Sequence, residues 1–125
     1  MIFIFGGAYQ VKTDFAKEKY NLSNSDVHFF GDETEFTVPK KCLNGYHLIV
    51  LSQLRAGIDP LKHLADNIYL LKYKIIICDD ISSGIVPMGE ENRKWREAAG
   101  RCAGLLSRNA NEVWRVFCGI GTKIK

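Results

Sequence analysis

The sequence predicts an α/β fold of three layers, in which a mostly parallel five-stranded sheet carries helices on both faces. Short apolar, β-rich runs at residues 2–5, 27–30, 47–51, 74–78 and 112–118 read as five strands. Segments with helical spacing fall between several of these runs, and such alternation favours parallel crossover units. The runs at 47–51 and 74–78 are nearly continuous in Ile, Val and Leu, as strands covered on both faces are.

The first strand leads directly into Gly6-Gly7, and a helix is expected from residue 13 to about residue 20, with Phe15, Ala16 and Tyr20 available for packing. Residues 31–46, GDETEFTVPKKCLNGY, are polar, contain Pro39 and Asn44-Gly45, and lack a clear period. They read as a connection with room for an edge hairpin. A second helix should begin at Asp59-Pro60, where an N-cap residue precedes a proline at the first helical position. Ile58, Leu61, Leu64, Ala65 and Ile68 form its apolar face. The strongest helical period runs over 90–109, where Trp95, Ala98, Ala99, Cys102, Leu105 and Leu106 make one buried stripe. Glu90 and Glu91 suit the positive end of its dipole. Arg93, Arg96, Arg101 and Arg108 fall largely outside the stripe, on a solvated face or in a subunit contact.

A chain of 125 residues with 46% hydrophobic and 25% charged residues has the proportions of one globular domain, taken here as residues 1–125. The formal charge of +3, from 17 basic and 14 acidic residues, gives no footprint for a nucleic-acid partner. Cys42, Cys78, Cys102 and Cys118 are widely spaced and form no C-x-x-C pair, so reduced thiols are expected. The opening MIFIFGGAY lacks a basic region ahead of its short apolar run, and no stretch approaches the ~20 apolar residues of a membrane span. No membrane association and a cytoplasmic location are the expectations.

The chemistry-bearing segment is Gly6-Gly7-Ala8-Tyr9-Gln10-Val11-Lys12-Thr13, a strand-to-helix loop close to the phosphate-binding pattern G-x-x-x-x-G-K-[ST]. In that pattern, backbone N–H groups and a helix N-terminus hold phosphates, the lysine reaches the outer phosphates and the hydroxyl binds magnesium. Val11 stands where the pattern has glycine. A β-branched residue resists the positive φ that glycine tolerates, so a loop of different shape is expected. Two readings stay open at this point: a phosphate loop served by Lys12 and Thr13, or a tight turn followed by a solvated lysine.

Asp79 and Asp80 end the 74–78 strand run, where open α/β sheets present their ligand crevice. They are candidate magnesium-side carboxylates, or the start of a turn before Ser82-Ser83-Gly84. His28, His47 and His63 are scattered, without the spacing of a metal cluster. Packed structural histidines are the simpler reading for all three, and Ser52 and Ser82 have no identifiable base.

Gly84-Ile85-Val86-Pro87, Arg93-Lys94-Trp95-Arg96-Glu97, Gly100-Arg101, Asn111-Glu112-Val113-Trp114-Arg115-Val116 and the closing Gly119-Ile120 to Lys123-Ile124-Lys125 follow a recognisable pattern. Together with Gly6-Gly7-Ala8 and Lys12-Thr13, they resemble the adenosylcobinamide kinase/adenosylcobinamide-phosphate guanylyltransferase family. The resemblance implies a P-loop domain with a RecA-like core and a role in cobalamin biosynthesis. It implies phosphorylation of adenosylcobinamide by a nucleoside triphosphate and GMP transfer through a guanylylated histidine.

By the same resemblance, Gly6, Gly7, Ala8, Tyr9, Gln10, Val11, Lys12 and Thr13 bind nucleotide, and Lys12 and Asp80 are catalytic. Thr13, Asp79 and Asp80 hold magnesium beside ATP or GTP. The implied partners are a nucleotide, a corrinoid and further copies of the chain in a homo-oligomer. The sequence departs from the family in the middle: the His-x-x-Arg segment is missing, so guanylyl transfer is expected to be lost. The third-strand aspartate has no counterpart in Leu48-Ile49-Val50-Leu51-Ser52, Asp79-Asp80 replaces Asn-Glu, and Ala103-Gly104 replaces Asn-Gln. A triphosphate-dependent kinase and a catalytically inactive binding or assembly module both accommodate these changes.

Overall fold

A computed structural model describes residues 1–8, 11–36, 39–81 and 89–125. Six strands, β1 (Ile2–Gly6), β2 (Val27–Phe29), β3 (Cys42–Asn44), β4 (Ile75–Asp79), β5 (Glu112–Phe117) and β6 (Ile120–Lys123), form one sheet in the order β2-β3-β4-β1-β5-β6. Every neighbouring pair is parallel except β5 and β6. The helices are α1 (Lys12–Tyr20), α2 (Tyr46–Arg55), α3 (Pro60–Asn67) and α4 (Glu90–Asn109). This three-layer arrangement, with the strand that precedes the glycine loop at the sheet centre, is consistent with the P-loop fold expected from the sequence.

Alternation along the strands sorts the core into two layers, because successive strand side chains point to opposite faces. Phe3, Leu43, Ile76, Cys78 and Val113 join Tyr46, Ile49, Val50, Leu64, Ala99, Cys102 and Leu106 on the face covered by α2, α3 and α4. Ile4, Cys42, Ile75, Ile77 and Val116 pack with Ala16 of α1 on the other, together with Phe15 and Trp114. Asp59 caps α3 as expected, its Oδ1 accepting from the N–H groups of Leu61 and Lys62 at 3.1 and 3.3 Å.

The sheet differs from the expectation at one place that matters for the site. Residues 47–51 are not a strand but part of α2, in which Tyr46, Ile49, Val50 and Gln53 recur at helical spacing and are buried. The third strand is instead Cys42–Asn44, inside the segment read as a connection, and it is a parallel strand rather than an edge hairpin. A four-residue apolar run fits a buried strand and a buried helix equally well. Gly45, at φ 90, turns β3 directly into α2. The sixth strand arises because β5 stops at Phe117 and Cys118, with φ 50, and Gly119 fold β6 back upon it. Among the described residues no helix is long and apolar enough to cross a membrane.

Candidate functional site

The carboxyl ends of β1 and β4 lie side by side, with Gly6 opposite Asp79 in the parallel register. The Asp80 N–H donates to the Gly6 carbonyl at 2.7 Å. The glycine loop therefore leaves the sheet next to both acids singled out in the sequence. Tyr9, Gln10 and the turn Gly84-Ile85-Val86-Pro87 lie outside the described residues.

Lys12 is the first residue of α1 and is only 6% exposed. Its Nζ curls back over the loop, donating to the Gly7 carbonyl at 2.8 Å and lying 2.7 Å from Asp79 Oδ1. This removes the reading of Lys12 as a solvated lysine: its charge is held at the loop and balanced by the end of β4. The first turn of α1 has no side-chain cap, and unsatisfied N–H groups at a helix start favour an anion.

Val11 adopts φ 63 and ψ 38, so the β-branched residue does not prevent a left-handed turn before Lys12. That conformation costs a non-glycine residue roughly 1–2 kcal/mol. Glycine would relieve it while losing about 0.5–1 kcal/mol through its greater unfolded freedom. Val11→Gly should therefore raise stability slightly, by up to about 1 kcal/mol, in a urea melt. A loss of stability would mean that the valine side chain, 46% exposed, makes a compensating contact.

Thr13 Oγ1 accepts a hydrogen bond from Asn44 Nδ2 at 2.5 Å. Because the third strand ends at Asn44 and not at Ser52, the side chain at that strand end is an amide. Ser52 lies in α2, where its hydroxyl donates to the Gly31 carbonyl at 3.3 Å.

Besides Asn44, sequence reasoning missed the contact that His47, read there as a packed structural histidine, makes with Asp79. His47 stands in the first turn of α2, 9% exposed, and its Nδ1 accepts from the Asp79 N–H at 3.1 Å. A ring nitrogen that accepts carries no proton, so the neutral ring has its hydrogen on Nε2, which lies 3.5 Å from Asp79 Oδ2. Trp95 of α4 donates from Nε1 to the His47 carbonyl at 2.7 Å, and its ring stacks against the imidazole at 6.2 Å. The helical placement of residues 46–53 was the one signal that could have found this residue.

Burial pushes the His47 pKa below its ordinary value; Asp79 opposes that shift and Lys12 adds to it. Between the depressed value and the unfolded value near 6.5, the unfolded chain binds more protons than the folded one. The contribution of neutral His47 is therefore complete above the unfolded value and declines as pH falls below it. Urea melts from about pH 7.5 to about pH 5 should show a stability loss that is smaller in His47→Gln. An identical slope in the variant would remove His47 from the acid response.

Burial raises Cys42, Cys78 and Cys102 to about 12, so these thiols are poor nucleophiles at neutral pH. Cys42, Cys78 and Cys102 are free, buried thiols. A cavity of about 120 Å³ adjoins the acids on the α4 face, bounded by Phe3, Phe5, Ile81, Ala99 and Ala103. Among the described residues no three His, Cys, Asp or Glu side chains are grouped to hold a metal. The Thr13 hydroxyl and the two carboxylates do match the hard oxygen donors magnesium takes when phosphates and water complete its shell.

Residues 48–124, more than half of the chain, match the family described as cobinamide kinase / cobinamide phosphate guanyltransferase. A stretch of 51 residues is 43% identical to the bifunctional adenosylcobalamin biosynthesis protein CobU of Escherichia coli (strain K12). It is 41% identical over the same length to the protein of that name from Salmonella typhimurium (strain LT2). The matched stretch covers 41% of this chain and 28% of each relative. The family match takes in Asp79, Asp80, α3, α4, β5, β6 and most of α2, and it begins after Lys12, Thr13, Asn44 and His47.

Proposed function

We propose, from the premise that the chain belongs to the cobinamide kinase / cobinamide phosphate guanyltransferase family, that its glycine loop is a nucleotide phosphate site in a protein of cobalamin biosynthesis. The observation that carries this reading is the buried Lys12 ammonium, returned to the Gly7 carbonyl and to Asp79 at the head of α1. A lysine needed only for solubility has no reason to be desolvated there. In this reading Lys12 neutralises the outer phosphates, the α1 N–H groups hold the remainder, and Thr13 with Asp79 and Asp80 faces a magnesium ion carried by ATP or GTP.

The site supports phosphoryl transfer to a corrinoid hydroxyl, with Asp80 as the carboxylate nearest in role to the family's glutamate. It gives no support to guanylyl transfer through His47, whose Nδ1 already accepts from Asp79 and whose ring lies under Trp95. The chain acts as one domain within a cytoplasmic homo-oligomer.

A second reading, a binding or assembly module without turnover, draws on Asn44. Its amide donates to Thr13 Oγ1 at the end of the third strand, where the resemblance implies an aspartate. The carboxylate and the amide stand exchanged between adjacent strands, since Asp79 occupies the position of the family's asparagine.

Thermal unfolding with ATP, GTP and GDP, with and without magnesium, separates these readings from no site at all. Stabilisation should reach ~2.7 kcal/mol at 100 Kd and vanish in Lys12→Ala. Phosphorylation of cobinamide by the same protein then distinguishes a kinase from a module that binds without turnover. Absence of any shift with every nucleotide would overturn both forms of the phosphate-site reading.

A further inference from the structure

We propose that His47 is a positioning residue for the phosphate site, which supplies Asp79 with a replacement hydrogen-bond donor when Lys12 leaves that carboxylate for a phosphate. The inference rests on the phosphate-site reading and adds to it a step of release.

Lys12 cannot serve a phosphate fully while its ammonium is spent on the Gly7 carbonyl and Asp79 Oδ1. In magnesium-free binding, its departure would strip Asp79 of its strongest partner at a position where the carboxylate is only 27% exposed. An under-solvated carboxylate left without a donor carries a desolvation penalty, and that penalty opposes ligand binding.

His47 is placed to remove it. The lysine uses Oδ1, while the imidazole Nε2 faces the other oxygen, Oδ2, at 3.5 Å. That separation exceeds a full hydrogen bond and leaves room for tightening once the lysine has gone. The ring cannot turn away cheaply: the Asp79 N–H fixes Nδ1, and Trp95 holds the backbone carbonyl and stacks on the ring. The first turn of α2 also presents the positive end of a helix to the carboxylate. Asp79 thus stays paired in both states, and its ion pair with Lys12 works as a latch.

The test separates the two nitrogens of His47. His47→Gln keeps a donor at the reach of Nε2, and His47→Asn keeps only an acceptor at the reach of Nδ1. Binding of ADP and GDP is measured by calorimetry in EDTA, with melting of each variant as the check on folding. His47→Gln should bind within about threefold of the wild type and His47→Asn about tenfold more weakly, the loss of one hydrogen bond to a charged group. In the Asp79→Asn background the His47→Asn effect should disappear, and Asp79→Asn alone should bind more tightly than the wild type.

Equal affinities for the two His47 variants in a wild type that binds nucleotide would overturn the positioning role and leave the phosphate site intact. If His47→Asn does not fold, Asp79→Asn decides: unchanged or weaker magnesium-free binding rules out the latch. No binding by the wild type or by Asp79→Asn removes the phosphate site and the latch together.

Discussion

Gly6→Ala should destabilise the protein by about 3 kcal/mol, the upper part of the range for forcing atoms into a packed interior, and lower its melting temperature by roughly 10–15 °C. A Cβ built at Gly6 lies 2.3 Å from the Val116 carbonyl oxygen of β5, well inside contact distance. The obstacle is backbone, so no rotamer change relieves it. β1 is held on both sides, by β4 and β5, so moving away from Val116 presses the strand toward Asp79. The same displacement would drag the Gly7 carbonyl and Asp79 away from Lys12, and nucleotide stabilisation should fall with stability. Thermal and urea unfolding check the first effect and a ligand titration the second. A variant as stable as the wild type would show that β5 yields by about an ångström without cost.

That glycine was legible in the sequence as the end of a strand, although its reason was not. The sequence pattern places Gly6 before a turn, whereas the clash partner is 110 positions away and belongs to a strand that only the fold makes adjacent. Lys12, Thr13, Asp79 and Asp80 were likewise readable because each sits at a strand or helix end whose local pattern is strong. Asn44 and His47 were not, because their roles arise from β3 lying beside β4.

The three-residue strand Cys42–Asn44 is flanked by Lys40-Lys41 and Asn44-Gly45, which locally read as turn. Pairing on both sides, with β2 and β4, overrides that preference. Leu48-Ile49-Val50-Leu51 then took the apparent place of a strand, since its continuity fits a sheet covered on both faces. In the fold the same apolar density serves a helix packed against β4 and α4, with Ile49 and Val50 fully buried. One misplaced strand was enough to move the third strand end from Asn44 to Ser52 and to hide both the amide and the histidine.

Asp79→Ala should cost about 3 kcal/mol, the lower end expected when one partner of a buried ion pair is removed. The lower end applies because Asp79 is partly exposed, at 27%, while Lys12 is at 6%. The loss is dominated by what remains: an ammonium with the Gly7 carbonyl as its only neighbour among the hydrogen bonds and ion pair described for it. Removing the lysine as well should therefore restore part of the loss. Lys12→Met in the Asp79→Ala background replaces the stranded charge by an apolar chain of similar length, and about half of the stability should return if desolvation of the ammonium is the main term. Urea unfolding of the two single variants and the double variant measures this directly. A double variant no more stable than Asp79→Ala would place the cost elsewhere, in the Asp79 N–H to His47 bond and the packing of the β4 end, and would make the ion pair a minor contributor to the fold that carries the site.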